Sequence, residues 1–177
     1  MNAEELRAAQ APLKEKYRRD PQSARFTFTA QGRLDSERLS VKIESGLGKV
    51  EAGLHAMAGG DGTLACSGDM LLEALAACAG VTLQAVATSM GLAVRAGSVT
   101  VEGDADFRGT LGIKAVGIVE AALVGCTAIR VHFDLDTDAT PEQLATLFKL
   151  TERYCVIYQT LRHPPAMSLT HSVRATG

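Results

Sequence analysis

The chain has 177 residues, of which 46% are apolar and 21% are charged, a composition typical of a globular protein with one domain. Its net charge is −2 and its pI is about 6.1, so neither nucleic acid nor an anionic membrane surface is expected as a partner. The acidic N-terminus lacks the apolar stretch of a secretory signal. We therefore expect a cytoplasmic protein whose four cysteines are reduced.

The first segment of the chain reads as an amphipathic helix over residues 3–19. Pro12 lies inside it and predicts a kink or a split, because proline removes a helical hydrogen bond. Asp20-Pro21 predicts its end, since a residue before proline avoids helical backbone angles. We expect residues 1–22 to form an N-terminal helical extension and residues 23–177 to form the main domain.

Three segments with the alternation of strands follow, and the links between them are short. They span residues 25–30, 38–43 and 50–56. Gln31-Gly32 and Asp35-Ser36 supply turn residues between the first two. This part of the chain predicts an antiparallel meander.

The stretch Met70–Val94 is apolar and long enough to span a bilayer, and Glu73 is its only charged residue. It is rich in alanine, glycine, threonine and serine, and it lacks the flanking basic cluster that an anchor often has. A helix that is apolar on all sides is also typical of a buried central helix. We therefore predict a buried helix over residues 68–90, capped by Ser67 and ended by Gly91.

The remaining elements are two or three strands, a helix and a final strand. The strands span residues 99–107, 117–124, 128–136 and 167–173. The helix spans residues 140–160, and its start is marked by Thr140-Pro141 with Gln143 completing a capping box. This order of helices and strands predicts an α+β fold.

Metal binding and serine hydrolysis are poor interpretations of the reactive side chains. No short ligand spacing of a zinc module relates the cysteines to the histidines. No nucleophile elbow is present for a serine hydrolase. We expect no metal and no cofactor. The residues considered were Cys66, Cys78, Cys126, Cys155, His55, His132, His163 and His171.

Cys78 and Cys155 each lie in a predicted helix, and only the fold can bring them together. A cysteine becomes reactive when a cation or a helix N-terminus stabilises its thiolate. The neighbours of Cys78 at helical spacing are apolar or neutral, so spacing alone favours a structural thiol. A redox pair stays open as the second interpretation.

Two strings carry a resemblance to a known family. The first is DMLLEALAACAGVTL at residues 69–83, and the second is ERYCVIYQTLRHPP at residues 152–165. They resemble the two cysteine-bearing helices of the osmotically inducible protein C and organic hydroperoxide resistance family. The order of strands and helices agrees over roughly residues 25–175.

The resemblance implies an antiparallel sheet packed around two long helices in an intertwined homodimer, with the site at the subunit interface. It also implies a peroxiredoxin-like reaction in which organic hydroperoxides are reduced during oxidative stress. Cys78 would be the peroxidatic thiol and Cys155 the resolving thiol. A dithiol, either a small thiol compound or a lipoyl-type protein, would regenerate them.

The sequence departs from the family pattern where the thiolate is activated. The family places an acid ten positions before the first cysteine, where this chain has Gly68 followed by Asp69. It also places an arginine in the preceding strand or loop, whereas residues 52–57 contain none and His55 is the nearest cation. We expect His55 and Asp69 as supporting residues. Cys66 is either incidental or an alternative resolving thiol.

Further departures leave a second class of function open. Val156 replaces the proline that usually follows the second cysteine, and the nearest arginines upstream are Arg25, Arg33 and Arg38. The alternative is a non-catalytic relative with structural thiols, or one that binds an apolar small molecule at a dimer interface. The role of the N-terminal extension is open under either function: to shield the pocket or to strengthen the dimer.

Overall fold

A computed structural model of the chain describes residues 2–25, 27, 31–34, 40–45, 48–112 and 122–173. The described elements include a run of four strands and a closing pair of helices, as expected for an α+β protein. In chain order they are α1 (Ala3–Arg19), β1 (Gln31–Leu34), β2 (Ser40–Ser45), β3 (Gly48–Gly53), β4 (Ala65–Cys66), α2 (Ser67–Met90), β5 (Val94–Ala105), α3 (Phe107–Thr110), β6 (Cys126–Thr137), α4 (Pro141–Tyr154) and α5 (Val156–Arg162).

The helix ends follow local capping chemistry. Asn2 and Glu5 form a capping box at the start of α1, which continues through Pro12 to Arg19. The predicted box between Thr140 and Gln143 is present at the start of α4. Gly91 ends α2 with φ of 70°, a left-handed conformation that glycine adopts without strain.

The strands form two sheets. In the first, β1, β2 and β3 make the predicted antiparallel meander, and β4 adds parallel to β3. The turn predicted at Gln31-Gly32 is wrong, because both residues pair with β2, with Gly32 opposite Ile43. In the second, β5 and β6 pair antiparallel over almost their whole length.

The core lies between α2 and the β5–β6 sheet, with α4 and α5 packed beside α2. One stripe of α2 is buried at the spacing of one helical turn: Leu75, Ala79, Leu83 and Ala87. By length and composition alone α2 could cross a membrane, but this stripe packs as the central helix of a core does. The inner faces of β5 and β6 supply the opposing apolar side chains.

Three predicted elements differ from the structure. The helix predicted over 140–160 is interrupted at Cys155, and Ser67 is the first residue of α2 while Cys66 occupies the capping position. Residues 167–173 form no strand with the described residues, because a strand requires the backbone of a neighbour. Most residues of the strands predicted at 25–30 and at 117–124 lie outside the described residues.

Candidate functional site

The fold brings Cys78 and Cys155 together. Cys78 lies in the middle of α2, and Cys155 lies between α4 and α5, which both pack against α2. The two side chains share one apolar cluster with Leu75 and Ala79, and Cys155 is only 2% exposed. Their thiols are within hydrogen-bonding reach of each other and form no disulfide.

The break at Cys155 turns backbone amides toward the two sulfurs. Cys155 has an extended conformation, with ψ of 107°, so α4 ends there and α5 begins at Val156. Its N–H still donates to the Thr151 carbonyl at 2.9 Å, and its carbonyl accepts from the Gln159 N–H at 2.9 Å. The first amides of α5 have no partner inside that helix, so they are available to the thiols.

These contacts favour the thiolate of Cys78. Burial alone raises its pKa, but four donors oppose it: the Ile157 N–H, the Cys155 thiol, the Val156 N–H and the Thr82 hydroxyl. Together they hold the pKa of Cys78 below its ordinary value, because hydrogen bonds to the charged form favour it. Cys78 is therefore the more easily ionised thiol of the pair.

Cys155 has the opposite tendency. Burial raises the pKa of Cys155. The neighbouring Cys78 raises it further, because the Cys155 thiol donates its proton in a hydrogen bond to the Cys78 sulfur. The backbone N–H groups of Tyr158 and Ile157 lower it only in part. The pair is thus asymmetric: its contacts lower the pKa of Cys78 and raise the pKa of Cys155.

The donors to Cys78 were only partly visible in the sequence. Thr82 lies one helical turn after Cys78, so its contact could have been predicted from spacing. The amides of Val156 and Ile157 could not, because they depend on the break and on the packing of α5 against α2. None of the donors to Cys78 in the described part is a lysine or arginine, and the side chains of Arg33 and Arg38 lie outside that part.

His55 and Asp69 lie at a different place, the start of α2. With Cys66 they border a cavity of about 230 Å³. The His55 ring stacks on Phe107 with centroids 4.8 Å apart, and its Nδ1 accepts the Met57 N–H at 3.0 Å. Asp69 precedes Cys78 by about 13 Å of helix axis at ~1.5 Å per residue. The structure therefore groups His55 and Asp69 with Cys66, and their support of Cys78 stays a prediction.

Two larger cavities lie near the cysteine pair, and the first of them borders Cys155. One, of about 370 Å³, is bordered by Cys155 and Ala79; we call it the Cys155 cavity, and its other lining residues are Val131, His132, Phe133, Phe148, Thr151, Glu152 and Tyr158. The second, of about 580 Å³, lies between α1, α2 and α4; we call it the α1 cavity, and it is lined by Gln10, Lys14, Val81, Thr82, Ala85, Val86, Ser89, Met90, Leu150 and Tyr154.

The described side chains do not suggest a metal centre. No group of three or more histidine, cysteine, aspartate or glutamate residues converges within the ranges that the structure covers. The chemistry of this region therefore has to be argued from the two thiols and their hydrogen-bond donors.

Comparisons with known proteins identify the fold. The model of the OsmC-like protein family matches residues 60–170, well over half of the chain. An OsmC-like protein from Mycoplasma pneumoniae superposes with a TM-score of 0.62 at 16% identity, over 78% of this chain and 89% of that one. No curated protein matches the sequence.

Two further structures come from proteins named for hydroperoxide resistance. The organic hydroperoxide resistance protein OsmC of Legionella pneumophila has a TM-score of 0.57 at 16% identity, with 78% of this chain and 93% of that chain covered. An organic hydroperoxide resistance protein of Elizabethkingia anophelis has a TM-score of 0.58 at 17% identity, with 79% and 92% covered. At these identities the likeness concerns the fold. With the family match, the resemblance drawn from the two cysteine strings is confirmed: the chain belongs to the OsmC-like protein family.

Proposed function

We propose that this protein is a thiol peroxidase that reduces organic hydroperoxides, with Cys78 as the peroxidatic thiol and Cys155 as the resolving thiol. The observation that carries the proposal is the asymmetry of the two adjacent thiols. Their contacts lower the pKa of Cys78 and raise that of Cys155. The thiolate is the nucleophile in such chemistry, so the contacts assign the attacking role to Cys78.

The reaction has two oxidative steps. The Cys78 thiolate attacks one oxygen of the hydroperoxide, the O–O bond breaks, and the alcohol leaves after taking a proton, which leaves a sulfenic acid on Cys78. The Cys155 thiol then attacks that sulfur, a disulfide forms, and water leaves. A dithiol returns both cysteines to thiols and is itself oxidised to a disulfide.

The oxidative half-reaction tests this proposal directly. One equivalent of cumene hydroperoxide should yield a 78–155 disulfide in the wild-type protein, detected by non-reducing peptide mapping. Cys78→Ser should abolish turnover, and Cys155→Ser should leave a sulfenic acid on Cys78 that dimedone traps. Cys126→Ser is the matched control, since that thiol is exposed and distant along the chain from the pair. Free thiols at both positions after peroxide treatment would rule out the peroxidase.

We also propose a homodimer in a reducing cytoplasm. Large apolar side chains stand exposed close to the cysteines, among them Val81 and Val156. The segment after α5 exposes Met167, Leu169 and Val173 almost fully. Exposed apolar area on this scale is typical of a surface that another chain covers. The second subunit would then also exclude water from the thiols.

A second candidate function is storage or transport of an apolar small molecule, with the thiols as packing residues. The α1 cavity favours it, because its walls are largely apolar and its volume of about 580 Å³ is in the range of ligand pockets. A fluorescent apolar probe, titrated against wild type and Cys78→Ser, separates the two functions. Equal binding by both proteins, together with no turnover of peroxide by wild type, would favour the binding protein.

A further inference from the structure

The N-terminal helix turns polar side chains toward an apolar cavity. The residues of α1 that line the α1 cavity are Gln10 and Lys14, which lie one helical turn apart on the same face. Two large apolar side chains of the helix, Leu13 and Tyr17, are 47% and 39% exposed. An amphipathic helix ordinarily packs with its apolar stripe inward. Hydrophobic packing therefore does not explain why Gln10 and Lys14 face the cavity.

The walls that α2 and α4 contribute to this cavity are mainly apolar. They are formed by Val81, Ala85, Val86 and Met90 of α2 and by Leu150 of α4. The volume of about 580 Å³ is in the range of pockets for small organic ligands. An aliphatic chain in this space would bury its own apolar surface together with that of the walls. The other lining groups of the two helices are uncharged: Thr82, Ser89 and Tyr154.

Lys14 is the one charged residue among those that line the α1 cavity. It is exposed, so it lies at the rim. None of the residues three or four positions away on α1 is acidic, and the adjacent Glu15 pairs with Arg18 and Arg19. Within the described part of the protein, Lys14 forms no ion pair. A cation without a partner at the rim of an apolar cavity is complementary to a ligand with an anion at one end.

We propose that the α1 cavity binds an amphipathic anion, a molecule with one aliphatic chain and a terminal carboxylate. The chain lies between α2 and α4, and the carboxylate pairs with Lys14 and accepts a hydrogen bond from the Gln10 amide. The inference rests on the second candidate function for the choice of cavity, and it goes further by naming the ligand class and the residue that selects it. It does not depend on the peroxidase reaction.

The site would be a property of the N-terminal extension. The family model matches residues 60–170, so α1 with Gln10 and Lys14 lies outside the matched part of the chain. In this proposal α1 holds the head group of the ligand, while α2 and α4 supply the surface for its chain. The polar face that α1 turns toward the cavity then has a binding partner.

The test compares decanoate with decanol as competitors of the uncharged fluorescent probe N-phenyl-1-naphthylamine on the full-length protein. An apolar cavity alone would favour the alcohol, because a carboxylate loses more hydration than a hydroxyl when it leaves water. With Lys14 at the rim, decanoate should displace the probe at a concentration at least 3-fold lower than decanol. The expected preference is modest because ion pairs at exposed sites are weak.

Substitutions of Lys14 assign the preference to its charge. Lys14→Met retains an unbranched side chain without the charge, so it should weaken decanoate at least 3-fold and leave decanol unchanged. Lys14→Arg keeps the charge and should keep the preference. Lys16→Met is the matched control, because it removes the same charge from the same helix at a position outside the lining. Equal displacement by the two competitors on wild type, or a preference that survives in Lys14→Met, would overturn the inference.

A second pair of variants locates the aliphatic chain. Ser89 and Gln84 are both exposed on α2, but only Ser89 lines the α1 cavity. Ser89→Trp should weaken binding of the fluorescent probe at least 10-fold by filling the cavity, and Gln84→Trp should bind it as wild type does. Unchanged binding by Ser89→Trp would place the chain elsewhere and contradict the assignment. Urea unfolding identifies a variant that has lost its fold, in which case the Lys14 series decides.

The outcomes separate this inference from the functions proposed above. Decanol binding equal to decanoate binding would leave an apolar binding protein in place and remove the role of Lys14. None of these measurements uses a peroxide, so failure of the 78–155 disulfide to form would exclude the peroxidase and leave the inference intact. Absence of probe, decanoate and decanol binding would exclude both the second candidate function and this inference.

Discussion

At the scale of single residues, the reactivity of Cys78 depends on the atoms that donate to its sulfur. Of the four, one is a side chain on its own helix, Thr82, two are amides of another helix, and one is the Cys155 thiol. Hydrogen bonds to a charged acceptor stabilise it more than they stabilise its neutral form. The thiolate fraction of Cys78 should therefore rise at a lower pH than that of Cys155.

Thr82→Val should slow alkylation of Cys78 at pH 7 by roughly 2- to 10-fold, the equivalent of one ordinary hydrogen bond. The pKa of Cys78 lies below its ordinary value in part because of this hydroxyl, so its loss should move the pH profile of alkylation to higher pH. Iodoacetamide kinetics across the pH range, with the modified cysteine identified by mass spectrometry, give the profile.

The control for this substitution is Thr88→Val, on the same helix but outside the contacts of Cys78. It should leave the profile unchanged. Equal profiles for Thr82→Val and wild type would mean that the hydroxyl does not act on the thiolate in solution.

At the scale of elements, the decisive feature is the interruption between α4 and α5. An unbroken helix would use the N–H groups of Val156 and Ile157 for its own hydrogen bonds. The break at Cys155 releases them and aims them at the sulfurs. A change at one backbone position thus turns ordinary helical amides into donors to the Cys78 sulfur.

Val156→Pro tests this role of the backbone. Proline lacks the N–H that donates to Cys78, but the first position of a helix accommodates it, so the fold should persist. Alkylation of Cys78 at pH 7 should slow severalfold with little change in urea stability. Val156→Ala keeps the N–H, so its Cys78 should be alkylated at the wild-type rate. Slow alkylation in Val156→Ala would instead indicate an effect of the side chain.

The packing of α4 against α2 holds both cysteines in place. Leu147 on α4 is fully buried among Leu83 and Ala87 of α2. Leu147→Ala should lower the free energy of unfolding by about 2–5 kcal/mol, since it removes apolar contacts and leaves a cavity. Urea denaturation measures this. Lys149 is exposed on the same helix, so the free energy of unfolding of Lys149→Ala should lie within about 0.5 kcal/mol of the wild-type value. A similar loss of stability in both variants would place Leu147 outside the core.

At the scale of the whole molecule, part of the apolar surface is not covered by any of the described residues. Residues 167–173 alternate apolar and polar side chains as a strand does, but they have no strand partner among the described residues. Met167 and Leu169 are 92% and 94% exposed. Such a segment is stabilised when it adds to a sheet of a second copy.

Leu169→Asp should therefore weaken the proposed homodimer at least 10-fold, measured by sedimentation equilibrium. In an isolated chain this substitution would change little, because the side chain is already exposed. Ser168→Asp, one position away and on the opposite side of the predicted strand, is the matched control. Unchanged association of Leu169→Asp would exclude this segment from the interface.

Much of the fold could be predicted because its signals are local. The start of α4 at Thr140 and the end of α2 at Gly91 follow from capping chemistry within a few residues. The β5–β6 sheet follows from alternation, although β5 begins at Val94, before the predicted start. The interruption at Cys155 escaped prediction because no proline or glycine marks a break between residues 151 and 162.

The sequence by itself determined the α+β order of elements, the central apolar helix and the two cysteine-bearing strings, since each depends on near neighbours in the chain. It left undecided whether Cys78 and Cys155 meet and what would activate Cys78. Only the tertiary structure decided that the two thiols meet, by packing α5 against α2, and this packing also brings backbone amides to the Cys78 sulfur. Backbone N–H groups are the same in nearly every residue, so their use as donors is fixed by geometry and leaves no signature in the amino-acid sequence.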